Sequence, residues 1–167
     1  SIATRCVTTQ DHGLDNILDR KLIEEAKPAL ENKEKVVINT EVFNLNRSVG
    51  TMLSGEIAKR YGVDGLEDDT ITINLKGYVG QSFGTFGMKG ITYKLEGQGN
   101  DYIGKGLFGA KIIIKKPESA KFSAAENIIG GNTILYGAIR GEVYLNGKVG
   151  ERFCVRNSGV KAVVEGV

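Results

Sequence analysis

The sequence GYVGQSFG at residues 77–84 opens a stretch that ends at Gly166 and holds 18 of the chain's 23 glycines. Short apolar runs alternate with glycine-rich corners along this stretch, and the first run lies just before it. The runs are ITINL (71–75), ITYKL (91–95), KIIIK (111–115), EVYLN (142–146) and VKAVVE (160–165). The first two begin 20 positions apart, and a unit of this length indicates a repeat architecture. The spacing of 31 positions from Ile112 to Val143 predicts an insertion or an extra turn in one repeat.

Each apolar run is predicted to be a β-strand, because it is short and rich in β-branched and aromatic residues. Parallel neighbours in a sheet need connections of roughly a dozen residues or more, and these are usually helical. The connection at 76–90 is long enough, but it contains five glycines, and each disfavours a helix by about 1 kcal/mol. Glycine instead suits corners, where the backbone takes positive φ or packs closely.

From this pattern we predict an all-β fold, namely a single-stranded right-handed parallel β-helix with glycine corners and two flanking N-terminal helices. A small antiparallel barrel or sandwich is the alternative, because it is also built from short strands and glycine turns. We place the whole chain, 1–167, in one domain. The N-terminal helices and a cap occupy 1–62, and the β-helix repeats occupy 70–167.

The first predicted helix spans Leu14–Leu30, where apolar residues recur at helical spacing. Asp11 or Asp15 is expected to cap its start, and Pro28 is expected to kink or restart it. The run VVINTEVF at 36–43 follows as a strand.

A second helix is predicted over Ser48–Tyr61, with Ser48 as its N-cap and Gly62 at its end. Its buried stripe is predicted to comprise Val49, Met52, Leu53, Ile57 and Tyr61. The preceding residues NLNR (44–47) are expected to form an asparagine-rich turn rather than a binding loop.

The composition disfavours several classes of function. The 167 residues carry a formal charge of +2, from 22 Lys and Arg against 20 Asp and Glu, which favours neither nucleic acid nor a membrane as partner. No apolar run approaches the roughly 18 residues of a membrane span, and no signal peptide is recognisable, so we expect a cytoplasmic protein. Cys6 and Cys154 lack metal-site spacing and are expected to be free thiols rather than a disulfide.

Two glycine motifs look like nucleotide-binding loops. Residues 104–109 (GKGLFG) fit G-x-G-x-x-G, which holds a pyrophosphate only where the loop opens a helix. The predicted strand KIIIK follows instead. Residues 99–105 match most of a P-loop, but Gly106 stands where Ser or Thr is needed. We therefore expect corners here rather than phosphate sites.

The remaining polar residues do not assemble into a recognisable catalytic or metal site. His12 is the only histidine and follows Asp11, but no nucleophile stands nearby, so a surface or structural role is expected. The acidic run at 67–69 is expected to be a solvated loop. The other acidic candidates for acid–base pairing are Asp101, Glu126, Glu142 and Glu151. Arg152 and Arg156, with Asn157, mark a corner whose basic edge could dock a partner.

Several long strings in the chain resemble the C-terminal GXGXG domain of the glutamate synthase large subunit. They are QDH (10–12) with LDNILD (14–19), NRSVGTMLSGEIAKRYG (46–62), GQSFG (80–84), NDYIGKGLFG (100–109), ENIIGGNTILYGA (126–138) and GERFCVRNSG (150–159). The resemblance runs from about Gln10 to Val167 and keeps the order of the strings. It is therefore more specific than any single glycine pattern.

The resemblance implies a structural role. In glutamate synthase, a glutaminase (amidotransferase) domain releases ammonia from glutamine. A domain with FMN and an iron–sulfur cluster adds this ammonia to 2-oxoglutarate and reduces the product to glutamate. The GXGXG domain is expected to hold these partners together. The family's catalytic cysteine, flavin site and cluster cysteines belong to those other domains, so no catalytic, cofactor or metal residue is expected in this chain.

Two other functions stay open on the sequence alone. One is a free-standing β-helix protein that binds a carbohydrate, although such sites usually need clustered acids and aromatic rings, and the chain has no tryptophan. The other is a homo-oligomeric scaffold. The chain is expected to be a component of an oxidoreductase complex, either as a separate subunit or as an excised domain.

Overall fold

The computed structural model describes residues 4–5, 7–9, 11–121 and 123–167. Within them, seven strands form one sheet and three α-helices share its core. The elements in chain order are α1 (Leu18–Glu25), α2 (Lys27–Asn32), β1 (Val36–Val42), α3 (Thr51–Tyr61), β2 (Ile71–Tyr78), β3 (Ile91–Gln98), β4 (Phe108–Lys115), β5 (Ile128–Gly130), β6 (Arg140–Val149) and β7 (Val160–Gly166). No helix in this part of the chain is long and apolar enough to cross a membrane.

All strand pairs in the sheet are parallel. The order is β1-β2-β3-β4-β6-β5, and β7 pairs with β6. Ile71 pairs with Ile91, and Ile112 pairs with Val143, so equivalent residues of successive repeats stand side by side. A short 3-10 turn (Ala124–Glu126) and β5 fill the long spacing before β6, which confirms the predicted insertion.

The predicted fold class is wrong. The chain is an α/β protein with one parallel sheet and flanking helices, not an all-β right-handed β-helix. The helices belong to the core, because Leu22 of α1 and Leu53 and Ile57 of α3 are fully buried in the same cluster as the strand residues. The glycines excluded helices only from the connections after residue 70, whereas the first 61 residues supply the helices.

The inward faces of the strands build most of the core. Ile71, Ile73 and Leu75 of β2 are buried, and the residues between them are partly exposed. In β3, the fully buried ring of Tyr93 meets that of Phe83 edge-on, with 5.2 Å between the ring centroids. Each large buried side chain contributes roughly 1.5–3 kcal/mol of hydrophobic stabilisation, so these layers hold the sheet together.

The longer connections between strands are turns that stack on one another. Each turn spans five residues, and the first, third and fifth of them take positive φ, as Ser82, Gly84 and Phe86 do. Backbone hydrogen bonds connect each turn to its neighbours on both sides. The N–H of Ser82 donates to the carbonyl oxygen of Asp101, at the following turn, at 2.9 Å. The N–H of Gly84 donates to the carbonyl oxygen of Val49, earlier in the chain, at 3.0 Å. We call the four turns at residues 82–86, 102–106, 133–137 and 152–156 the turn stack.

The first predicted helix is correct in its break but not in its start. The chain breaks at Ala26, and α2 begins at Lys27 with Pro28 in its first turn, which confirms the expected restart. The start lies at Leu18 rather than Leu14, and neither Asp11 nor Asp15 caps it. Leu14 stays exposed, so extending the helix would bury nothing there.

The second predicted helix is correct in its end. It stops at Tyr61, and Gly62 follows as the C-cap. It begins at Thr51 rather than Ser48, because Ser48 takes φ of 52° and Gly50 takes φ of 91°. The first strand, predicted at 36–43, is confirmed as β1.

Candidate docking surface

The glycine motif at 104–109 is part of the turn stack. The N–H groups of Gly104 and Gly106 donate to the carbonyl oxygens of Phe83 and Tyr136, both at 2.8 Å. These donors are therefore not available to cradle a phosphate. β4 begins at Phe108, so no helix follows and the expectation of a corner is confirmed.

The carboxylates considered as acid–base candidates have separate structural contacts. Asp101 accepts the N–H of Asn132 at 2.8 Å and joins two turns of the stack. Glu142 accepts the hydroxyl of Tyr144 at 3.1 Å. Glu126 lies in a 3-10 turn, and Glu151 is exposed beside the last turn. None of these contacts pairs two of the four carboxylates.

Asp11, His12 and Cys154 form no reactive centre within the part of the chain that the structure describes. Asp11 accepts the N–H of Gly13 at 2.8 Å, and His12 is exposed. Cys154 is a half-buried free thiol, and partial burial raises its pKa. Cys6 lies outside the described residues, so the expectation of a second free thiol is untested.

The acidic loop and the asparagine turn both have local structural roles. Asp69 accepts the hydroxyl of Thr92 at 2.6 Å, and this bond, more than any nearby charge, lowers its pKa. In the turn at 44–47, Asn46 accepts the N–H of Phe43 at 2.8 Å, as expected for a turn. Within the described ranges, no three His, Cys, Asp or Glu residues are grouped to hold a metal ion.

A charged cleft of about 380 Å³ crosses the start of several strands. It contains side chains of both signs, and several are already paired. Lys111 lies 3.8 Å from the carboxylate of Asp69. Arg140 stacks over the ring of Phe108, with 4.2 Å to the centroid, and donates to the carbonyl of Val63. Lys111 and Arg140 are therefore already engaged within the protein, so the cleft is a weaker candidate for a ligand site.

An apolar groove of about 720 Å³ is the stronger candidate surface. It runs between α3 and the turn stack, and none of its lining side chains carries a charge. Phe86, Val63 and Ile139 line it, and each is at least half exposed. In a chain with 25% charged residues, an uncharged exposed groove is typical of a surface that packs against another protein.

The two walls of the groove have different properties. On the α3 side, the groove is lined by the small residues Gly55 and Ala58, and a Cβ added at Gly55 would meet no atom within 4 Å. On the other side, Phe86 takes φ of 54°, which is uncommon for a large residue, and its ring lies over Gly106. The fold thus holds an aromatic ring at the surface in a conformation that costs about 1–3 kcal/mol.

Sequence reasoning missed this groove. Val63 follows a helix, Phe86 lies in a turn and Ile139 precedes β6, so no local pattern connects them. No residue type reveals that Phe86 takes a left-handed conformation. Of the predicted surface features, the basic corner is present, because Arg152 and Arg156 are both exposed on the last turn of the stack.

A protein-family model described as "GXGXG motif" matches residues 19–167. The chain belongs to this family. The matched part contains the seven described strands, α2, α3 and the turn stack, and all of α1 except Leu18.

Nearly the whole chain is similar to a part of several glutamate synthases. The chain is 47% identical to glutamate synthase [NADH] of Saccharomyces cerevisiae over 98% of its length. It is 50% identical to glutamate synthase [NADH] of Schizosaccharomyces pombe over 99%, and 48% identical to the glutamate synthase [NADPH] large chain of Bacillus subtilis over 95%. The chain spans only 8 to 10% of the length of these relatives.

Proposed function

We propose that this GXGXG chain is a non-catalytic structural part of a glutamate synthase. In this role it holds the glutaminase and FMN-binding synthase parts together during glutamate synthesis from glutamine and 2-oxoglutarate. The observation that supports the proposal is 47 to 50% identity to two glutamate synthases over nearly the whole chain. FMN and the iron–sulfur cluster would reside in the partner domains, and a cytoplasmic location is part of the proposal.

The structure supports a scaffold in two ways. The parallel sheet and the turn stack are both continuously hydrogen-bonded, so the domain presents its surfaces rigidly. The apolar groove gives a partner a surface on which to pack. A carbohydrate site would need clustered acids and aromatic rings, whereas this groove is uncharged, so we advance no second function.

The test is recovery of the tagged chain from its native host. We expect larger, flavin-bearing protein to be recovered with it, read by flavin absorbance, together with glutamine-dependent formation of glutamate. Removal of the domain should uncouple the two activities, so that glutaminase activity persists while glutamate formation from glutamine falls. Recovery of a colourless chain alone, or of partners that form no glutamate, would overturn the proposal.

A further inference from the structure

The turn stack follows a regular hydrogen-bond pattern. In the turn at 82–86, the first and last left-handed residues donate to the next turn: Ser82 to the oxygen of Asp101 and Phe86 to that of Lys105, both at 2.9 Å. The same pattern recurs along the stack. Tyr102, Gly106, Thr133 and Gly137 donate to the oxygens of Asn132, Tyr136, Glu151 and Val155 at 2.8–3.0 Å.

The last turn leaves this pattern incomplete. Its equivalent donors are the N–H groups of Arg152 and Arg156, and neither has an acceptor among the described residues. Both residues are exposed and keep the left-handed conformation, with φ of 61° and 58°. The carbonyl of Phe153, equivalent to the accepting carbonyl of Phe83, likewise has no donor in the described part of the chain. The last turn is therefore an open edge, comparable to an unpaired edge strand.

The first end of the stack shows how such an edge is closed. Residues 48–50 precede the first turn of the stack and repeat its spacing, with positive φ at Ser48 and Gly50. Gly50 is equivalent to Gly84, whose N–H donates to the oxygen of Val49. Among the described residues, no further turn of this kind lies before residues 48–50, and the N–H of Gly50 donates to Oδ1 of Asp19 at 2.7 Å. The second oxygen of Asp19 accepts the N–H of Met52 at 2.7 Å. A carboxylate from outside the stack thus takes the place of the missing turn.

The side chains at the open edge favour the same kind of cap. Arg152 and Arg156 are both exposed, and each carries a guanidinium group on the residue whose N–H is free; the exposed Glu151 is next to Arg152 in the sequence. Guanidinium groups bind carboxylates through paired, charge-assisted hydrogen bonds. Backbone N–H groups in turns of alternating hand also form anion-binding concavities. Both features select an acidic side chain over a neutral one.

We propose that the open edge at 152–156 binds an acidic segment of another part of the glutamate synthase. Carboxylates of Asp or Glu in that segment accept the N–H groups of Arg152 and Arg156, as Asp19 does at the opposite end. The inference rests on the proposed function, because it takes the partner segment from the rest of a glutamate synthase. About nine-tenths of the length of the relatives lies outside the part that this chain matches. The acidic segment would come from that remaining part of the enzyme.

The chemistry can be tested on the chain itself by NMR. Titration with a polyglutamate peptide should shift the backbone N–H signals of Arg152 and Arg156, whereas a polyglutamine peptide should not. The variant Arg152→Asn/Arg156→Asn keeps residues that tolerate positive φ and should bind polyglutamate about tenfold or more weakly. The control Arg47→Asn/Lys94→Asn removes two other exposed charges and should bind like the wild type. Equal weakening in both variants, or shifts spread over all basic residues, would overturn the inference.

Hydrogen exchange in the assembled enzyme tests whether another part of the enzyme covers the open edge at 152–156. The N–H groups of Arg152 and Arg156 should exchange rapidly in the free chain and become protected in the glutamate-forming assembly. If that assembly forms while both groups still exchange rapidly, the inference fails and the proposed function stands. If the chain joins no glutamate-forming assembly, the proposed function fails, and with it this assignment of the occupant.

Discussion

The carboxylate of Asp19 in α1 accepts the backbone N–H of Gly50 at 2.7 Å, at the start of α3. Its other oxygen accepts the N–H groups of Met52 at 2.7 Å and Leu53 at 3.3 Å. The first N–H groups of a helix have no partner within the helix, so Asp19 serves as an N-cap from a distant part of the sequence. The side chain is only 4% exposed. One buried carboxylate therefore fixes α1 to α3.

Replacement of Asp19 by alanine should strongly destabilise the fold. Asp19→Ala leaves three N–H groups in a buried region without their acceptor, and we expect the free energy of unfolding to fall by about 2–3 kcal/mol. Urea denaturation followed by circular dichroism measures this loss. The control Asp15→Ala changes an exposed carboxylate on the same segment and should change stability by less than about 0.5 kcal/mol. Equal losses in both variants would contradict the capping role.

The proton-linked part of the stability due to Asp19 should decrease as the pH rises. Burial raises the pKa of Asp19 above its ordinary 3.8, and this effect outweighs the hydrogen bonds from Gly50, Met52 and Leu53, which lower it. The folded chain thus holds this proton more tightly than the unfolded chain. The part of the stability that is linked to this proton is therefore fully present below pH 3.8 and is lost as the pH rises through the raised pKa. The hydrogen bonds that the carboxylate accepts remain above that pH.

A comparison of the wild type with Asp19→Asn isolates this dependence, because asparagine does not titrate. The stability advantage of the wild type should be larger at acidic pH than at neutral pH. Urea denaturation across a pH series measures the difference between the two proteins. An advantage that grows with rising pH would show that the backbone hydrogen bonds dominate over burial.

The strands could be predicted from sequence because their signal is local. The runs beginning at Ile71 and Ile91 each alternate apolar and polar residues over one strand, and β2 and β3 begin at these residues. The cap formed by Asp19 could not be predicted, because its partner Gly50 lies 31 positions away. The sequence around residue 19 shows only a helix.

The groove was beyond sequence reasoning for a related reason. Glycine-rich corners predict positive φ at glycine, but in the turn stack Phe86 and Leu135 also take it, with φ of 54° and 61°. Side-chain type does not show which residues accept this conformation, since it is set by the hydrogen bonds of neighbouring turns. The groove depends on the resulting position of Phe86, so its location follows from the tertiary fold.

A glycine at the end of β3 should be indispensable. Gly97 takes φ of 152° and pairs with Gly77 of β2. A Cβ at Gly97 would overlap the carbonyl oxygen of Gly77, and the backbone cannot move without breaking the ladder. Gly97→Ala should therefore lower the free energy of unfolding by about 3 kcal/mol or more, or prevent folding.

Gly166→Ala is the matched control for this substitution. A Cβ there would meet only the flexible side chain of Lys148, at 3.3 Å, so a change of less than about 1 kcal/mol is expected. Thermal melts by circular dichroism and limited proteolysis compare the two variants, and proteolysis also reports a variant that does not fold. Similar stability in both would show that the sheet relaxes around Gly97.

Charges placed in the apolar groove should weaken assembly without affecting the fold. In Val63→Asp/Ile139→Asp, the replaced side chains are 67% and 50% exposed, so the free chain should melt like the wild type. If another part of the glutamate synthase packs into the groove, the new carboxylates become buried without partners. Such burial is costly, and we expect the dissociation constant to rise about tenfold or more.

Two exposed valines outside the groove show whether any effect is specific to the groove or common to exposed apolar residues. Val37 and Val163 are 63% and 59% exposed and lie on β1 and β7, outside the groove. Val37→Asp/Val163→Asp adds the same charge and should leave the association unchanged. Titration of each variant against the remaining glutamate synthase, followed by glutamine-dependent glutamate formation, compares the two pairs. Both pairs add two carboxylates at similarly exposed positions. Weaker association in the groove variant alone would identify the groove as a contact surface. Equal dissociation constants for the two variants would show that the groove lies outside the interface.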